Sequence, residues 1–164
     1  MSFYLRVFGS VLVVLAALIL GKEYSAYVNK RCSESDGFLL FLLHIKGEVS
    51  RFLTPPDGFA RSFENDALSR TGFLTSLAEG VGLKDAFELA KKKLSLCSDA
   101  QKCLFEFFSD FGKDYKDGEL KRCESYTERF ESIIREDKCT LEKNVRVVRS
   151  ILCAVALGIV ILLI

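Results

Sequence analysis

The sequence has few of the residues on which most enzyme sites depend. Its 164 residues include a single histidine, His44, and no tryptophan. It contains no Gly-rich phosphate-binding loop and no nucleophile elbow. His44 lies in an apolar run, where a histidine is more often a hydrogen-bonded core or interface residue than a catalytic base. We therefore expect no catalytic residues, no bound cofactor and no enzymatic activity.

The cysteines are also poorly arranged for metal binding. None of the six belongs to a Cys-x-x-Cys pair, and the only histidine lies apart from them in the sequence. A structural zinc site needs four such ligands, so we expect no metal. An even number of cysteines also fits disulfide bridges in a secreted protein, but reduced packing residues are the favoured interpretation. The six are Cys32, Cys97, Cys103, Cys123, Cys139 and Cys153.

Charge is nearly absent from both ends of the chain. All 22 acidic residues lie between Glu23 and Glu142, and Arg6 and Arg149 are the only two of the 23 basic residues in the end segments. The remaining sequence is close to neutral. Nucleic-acid binding depends on positive charge that neutralises phosphates, so this balance argues against a nucleic-acid partner.

The two ends have the length and composition of membrane-spanning helices. A span needs about 20 mostly apolar residues, with about 17 as the lower limit. Residues 3–20 and 147–164 meet this limit, and each has one arginine near an end, where its side chain can reach the headgroups. We therefore expect an N-terminal transmembrane anchor at 1–21, an α-helical domain at 22–146 and a C-terminal transmembrane helix at 147–164.

Each span has an alternative interpretation. Arg6 followed by an apolar run resembles a signal peptide, but the sequence after Leu20 offers no clean small-x-small cleavage site. The C-terminal run resembles a buried core helix, but it has no polar face to turn toward water. We expect membrane anchors in both cases, which makes the protein a two-pass protein of the cell membrane.

The basic residues beside the two anchors predict the orientation of the middle domain. Positive charge accumulates on the cytoplasmic side of membrane proteins. The flanks that face the middle domain are basic, whereas the outer flanks have only Arg6 and the amino terminus. We therefore expect the middle domain to face the cytoplasm. The basic flanking residues are Lys22, Lys30, Arg31, Arg135, Lys138, Lys143 and Arg146.

Small residues recur every four positions in both anchors. Such stripes allow helix backbones to approach closely in lipid. They indicate either a contact between the two anchors or a contact with a partner, and a second copy of the chain is one such partner. The residues are Ala17 and Gly21 in the first anchor, and Ser150, Ala154 and Gly158 in the second.

The middle domain has the pattern of an all-α bundle. Its only prolines are Pro55 and Pro56, and apolar residues recur at helical spacing elsewhere. The sequence predicts a buried helix over 36–53, shorter helices over 57–68, 72–79 and 83–96, and a helix that is capped by Asp99 and ends at Phe111-Gly112. A long helix without Gly or Pro is predicted over 119–157, continuing into the C-terminal anchor.

Several residues of this pattern resemble the stage III sporulation protein AB family, which is similar to the type II secretion F platform proteins. The resemblance extends over nearly the whole chain. It includes the N-terminal anchor, the segment from Leu43 through Glu48-Val49 to Thr54-Pro55, Phe111-Gly112, and the long charged helix that enters a Gly-Ile-Val-Ile-Leu-Leu-Ile anchor.

The resemblance implies a sporulation protein in the mother-cell membrane of an endospore-forming bacterium. There it would be a scaffold or platform in a secretion-like complex, with other sporulation membrane proteins and a cytoplasmic ATPase as partners. Glu48, Thr54 and Pro55 would set a turn between helices. The alternative is a component of a channel or transporter assembly, although Ser10 and Cys153 are the only polar residues well inside the spans.

Overall fold

The chain is α-helical throughout the part that the computed structural model describes, residues 2–51 and 63–163. Six helices follow one another: α1 (Ser2–Arg51), α2 (Asp66–Thr71), α3 (Phe73–Ala78), α4 (Leu83–Lys91), α5 (Ser98–Asp110) and α6 (Lys116–Leu163). Helices make up 87% of these described residues, which contain no strand. The predicted all-α fold is confirmed.

The helices divide between two compact units. One unit is formed by Met1–Asn29 with Lys138–Ile164, and the other by Lys30–Asp137. We call them the terminal unit and the central unit. Helices α1 and α6 each contribute residues to both, whereas α2 to α5 belong to the central unit alone.

Helix α1 is longer than its sequence pattern predicted. A separate helix was expected to begin at residue 36, but α1 runs unbroken from Ser2 to Arg51. Residues 22–35 contain neither Gly nor Pro, and nothing else in them interrupts the backbone hydrogen bonds. Gly37 lies close to its neighbours: a Cβ there would be 2.9 Å from Asn65 Oδ1 and 3.1 Å from Leu68 Cγ, so a larger residue would force these side chains to shift.

The core of the central unit is built around phenylalanine rings. The ring of Phe73 lies 5.2 Å from that of Phe38, 5.3 Å from that of Phe41 and 5.7 Å from that of Phe108. Phe87 packs 5.4 Å from Phe108. Four helices therefore meet at one cluster, and tilted or edge-on aromatic pairs at these distances are favourable.

The short helices begin and end at different residues from those predicted. Helix α2 begins at Asp66, because Asn65 caps it by accepting the N–H of Leu68 at 3.1 Å. Residues 57–62 of the helix predicted over 57–68 lie outside the described residues. Helix α4 ends at Lys91 rather than at residue 96. Asp99 lies in the first turn of α5, so its predicted role as the cap residue is wrong; the cap position is Cys97.

Helix α6 confirms the long charged helix and its continuation into the C-terminal anchor, and it runs from Lys116, three residues before the predicted start, to Leu163. In its first half the apolar residues that recur at three or four positions pack into the central core, whereas the charged residues between them are mostly exposed. Three of the apolar positions are almost fully buried: Cys123, Phe130 and Ile134.

Helices α1 and α6 are each long and apolar enough to cross a membrane. The stretches Val11–Arg51 and Lys116–Ile161 contain 18-residue windows with mean hydropathies of 1.7 and 1.9, and only 6% of each window is buried. A core helix of a soluble protein would bury most of such a window. In the terminal unit these apolar side chains instead lie at the surface.

Candidate functional site

A bidentate ion pair joins the two long helices inside the central unit. Arg31 of α1 donates from Nε to Asp137 Oδ2 at 2.8 Å and from Nη2 to Asp137 Oδ1 at 2.5 Å. Only 18% of the arginine side chain and 16% of the aspartate side chain are exposed. Two parallel charge-assisted hydrogen bonds in this partly buried place fix both distance and orientation between α1 and α6.

A second buried carboxylate connects α1 to the segment between α4 and α5. Glu34 is 2% exposed and accepts the backbone N–H of Ser95 at 2.6 Å. Lys30 Nζ lies 3.7 Å from its other oxygen. Burial raises the pKa of Glu34, because removing the carboxylate from water outweighs the hydrogen bond from Ser95 and the attraction of Lys30.

The predicted helix end at Phe111-Gly112 lies in a network organised by Glu119. Phe111 is the C-cap residue of α5, and Gly112 follows with a φ of +85°, which favours glycine. Glu119 Oε1 accepts the N–H groups of Gly112 at 3.1 Å and Asp114 at 3.0 Å, and Nη1 of Arg122 at 2.6 Å. One carboxylate oxygen therefore holds the α5–α6 connection.

The other predicted motif lies mostly outside the described residues. Glu48 is half-buried near the end of α1. Thr54 and Pro55 fall between Arg51 and Phe63, in the part of the chain that is not described. Their role in setting a turn between helices stays a prediction.

The small residues predicted for helix contacts do not come together. Ala17 and Gly21 of α1 face α6, and a Cβ on Gly21 would lie 3.7 Å from Leu152 Cδ1. The three from α6 lie on an exposed face, and a Cβ on Gly158 would have no neighbour within 4 Å. A contact of this face with a partner stays a prediction. The three residues are Ser150, Ala154 and Gly158.

Instead, the terminal unit contains a groove between α1 and α6 that was not predicted. It has a volume of about 580 Å³, and its walls are mostly aliphatic. One end is polar. There Arg149 donates from Nη2 to Ser25 Oγ at 3.0 Å, Ser25 Oγ donates to the carbonyl of Gly21 at 2.9 Å, and Lys22 lies on the rim. The signal in the sequence was a basic residue at the inner edge of each apolar run.

The groove continues toward the other end of the apolar segments. A second cavity of about 260 Å³ is lined by Val11, Val14, Leu15 and Val160. Val14 lines both cavities. We call these two adjoining cavities together the terminal groove; the first has a basic end, and the second is lined by apolar residues.

His44 and the six cysteines, which were considered from the sequence for catalysis and for metal binding, occupy ordinary structural positions. The ring of His44 packs 5.3 Å from that of Phe63, and His44 is half-buried. All six cysteines are free thiols, and Cys103 and Cys123 are buried in the core. Among the residues that the structure describes, no group of three or more His, Cys, Asp or Glu side chains could hold a metal ion.

Comparison with known proteins identifies the family of this chain. Neither the search of curated proteins nor the search of solved structures found a similar protein. A family model described as stage III sporulation protein AB matches residues 6–164, which is nearly the whole chain. The match covers α1 from Arg6 onward, the short helices α2 to α5 and the whole of α6. The chain therefore belongs to the stage III sporulation protein AB family.

Proposed function

We propose that this sporulation protein is a non-enzymatic scaffold of the cell membrane. Both of its long helices would be anchored in the bilayer, and the central unit would dock partner proteins in the cytoplasm. The observation that carries the proposal is the contrast between the two units. The apolar windows of α1 and α6 are only 6% buried, whereas seven phenylalanines of the central unit are at most 4% exposed.

The exposed apolar side chains of the terminal unit favour a lipid environment for α1 and α6. Leu18, Ile19 and Leu157 are each about 60% exposed, and a protein in water rarely leaves a continuous surface of such residues uncovered. In a bilayer the same side chains meet hydrocarbon, and the helices satisfy their own backbone hydrogen bonds. Resistance of the full chain to carbonate extraction tests this part of the proposal. Release into the supernatant would contradict it.

The basic residues that flank the anchors support a cytoplasmic central unit. Cys139 is exposed and belongs to α6; in sequence it comes after the last residue of the central unit and before the apolar run of α6. In intact cells a membrane-impermeant maleimide should leave Cys139 unlabelled, and it should label Cys139 after the membrane is opened. Labelling of Cys139 in intact cells would place the central unit outside.

The resemblance to secretion platform proteins supports docking of an ATPase. The surface of the central unit is charged and offers ion-pairing groups on several helices, including Lys91 at the end of α4, Lys92 directly after it, and Glu124 and Glu128 of α6. The exposed charged residues of one helix at a time are reversed in charge as one set, each helix in a separate full-length variant. Reversal on one helix should abolish co-purification of the ATPase. The sets that leave it intact serve as matched controls for folding. Unchanged co-purification across every set would refute docking.

An enzymatic role has one candidate residue, and its removal is simple to test. His44→Ala should leave sporulation normal in a protein that accumulates to normal levels. The non-enzymatic proposal would be contradicted if a folded His44→Ala variant lost sporulation and no other residue at position 44 restored it.

A further inference from the structure

The terminal groove has the polarity of a phospholipid. Its basic end is formed by Lys22 and Arg149, and its other end by valines and leucines. From Lys22 to Val11 the helix axis advances about 16 Å, at 1.5 Å per residue. A volume of about 580 Å³ for the first cavity lies within the range of about 300–1,000 Å³ typical of small-molecule sites.

The charges at the groove select for an anion. Among the lining residues that the structure describes, two are basic and none is acidic. Ser25 holds Arg149 at the groove through the 3.0 Å hydrogen bond to Oγ, which fixes where the guanidinium stands. The remaining guanidinium N–H groups and the ammonium of Lys22 are donors suited to phosphate oxygens.

We propose that the terminal groove is a binding site for an anionic glycerophospholipid. The phosphate binds between Lys22 and Arg149, and one acyl chain lies along the aliphatic walls between α1 and α6. Basic pockets between transmembrane helices on the cytoplasmic side are suited to anionic headgroups. The inference rests on the membrane anchoring proposed above. It does not depend on ATPase docking.

Charge complementarity favours lipid over a second protein helix as the occupant. A helix from another copy of this chain would bring its own uncharged segment into the groove, and it would leave Lys22 and Arg149 without a counter-charge. A lipid supplies both the hydrocarbon and the negative charge in one molecule.

The test uses the full chain in nanodiscs that contain phosphatidylcholine with a minor fraction of phosphatidylglycerol. After extraction into mild detergent, native mass spectrometry counts the lipids that remain bound. Wild-type protein should retain phosphatidylglycerol in preference to phosphatidylcholine. The Lys22→Gln/Arg149→Gln variant should lose about thirtyfold in affinity, on the basis of about fivefold for each basic residue.

Lys143→Gln/Arg146→Gln is the matched control. It removes the same charge from exposed positions of α6 that do not line the groove, so it should retain phosphatidylglycerol. Equal loss in both double variants would mean general surface attraction and would overturn the proposal. Equal retention of both lipids by the wild type would overturn it too, as would crosslinking that places a second copy in the groove.

A fluorescence measurement keeps the proposal testable if the charge variant does not fold. The chain has no tryptophan, so Leu18→Trp in the groove and Ile19→Trp beside it each give a single probe. Brominated phosphatidylglycerol should quench Leu18→Trp more than brominated phosphatidylcholine does, whereas Ile19→Trp should not distinguish them. Equal quenching at both positions would refute the site. Carbonate extraction separates this failure from failure of membrane anchoring, because a chain without the site would still resist extraction.

Discussion

Arg31 and Asp137 are separated by 106 residues in sequence and form a two-point ion pair between α1 and α6. Because both side chains are less than one-fifth exposed, solvent screens the pair weakly. Such a contact fixes one relative position of the two helices and disfavours others. The pair therefore contributes to the uniqueness of the central unit as well as to its stability.

The first prediction concerns this pair. Arg31→Ala should lower the free energy of unfolding by about 1.5–3 kcal/mol, because it leaves the Asp137 carboxylate partly buried without its charged partner. Urea unfolding of the full chain in detergent, followed by circular dichroism, measures the change. Arg135→Ala is the control, since its pair with Glu131 is largely exposed, and it should change stability by less than about 0.5 kcal/mol. Equal effects of the two substitutions would contradict the argument.

The second prediction concerns pH and Glu34. Its pKa is raised above 4.5 in the folded chain, mainly by burial. The folded state therefore favours the protonated form. This contribution to stability is fully present below the unfolded pKa and is lost as pH rises through the folded pKa. Glu34→Gln should abolish that loss, because the amide oxygen can still accept the N–H of Ser95 and carries no charge.

Unfolding of wild type and Glu34→Gln across a pH series measures this effect. The variant should be at least as stable as the wild type at pH 7 and should show a flatter pH profile in the mildly acidic range. Glu34→Ala is the matched comparison, and it should be less stable because the Ser95 N–H loses its partner. A Glu34→Gln variant that is markedly less stable at pH 7 would show that the carboxylate charge is favourable there.

The third prediction concerns the turn between α5 and α6. Gly112→Ala should cost about 1–2 kcal/mol, because the φ of +85° is unfavourable for a residue with a Cβ. Gly47→Ala is the control. Gly47 lies inside α1, and a Cβ there would have no neighbour within 4 Å, so the substitution should be neutral or stabilising by up to about 1 kcal/mol. Thermal unfolding of both variants measures the two changes in stability. A Gly112→Ala variant as stable as the wild type would contradict the prediction.

The fourth prediction concerns thiol reactivity. Burial raises the pKa of Cys103 and of Cys123 to about 11, so neither should react with maleimide at pH 7 in the folded chain, since the thiolate is the reactive form. Cys139 is exposed and should react readily. Mass spectrometry of the labelled protein, before and after denaturation, gives the comparison. Early labelling of Cys103 or Cys123 would mean that the core opens easily.

Local sequence patterns predicted the type and order of most elements. Some features depend only on residues that are close in sequence, so they can be recognised from the sequence alone. They are the charge-free ends, the alternating charges of α6 and the glycine at position 112. The same local reasoning misplaced the start of the helix expected at residue 36. It relied on a change in composition, whereas a helix ends only where its backbone hydrogen bonds are interrupted.

The sequence by itself therefore determined that this chain is helical, that its two ends are apolar and that its middle is nearly neutral, because composition and periodicity act over a few residues. Only the tertiary structure decided that Arg31 meets Asp137, that Glu34 meets the Ser95 N–H, and that Lys22 and Arg149 share one end of a groove. These pairs lie 61 to 127 residues apart. Contacts at such separations depend on how whole helices pack, and packing is decided by the fit of many side chains at once.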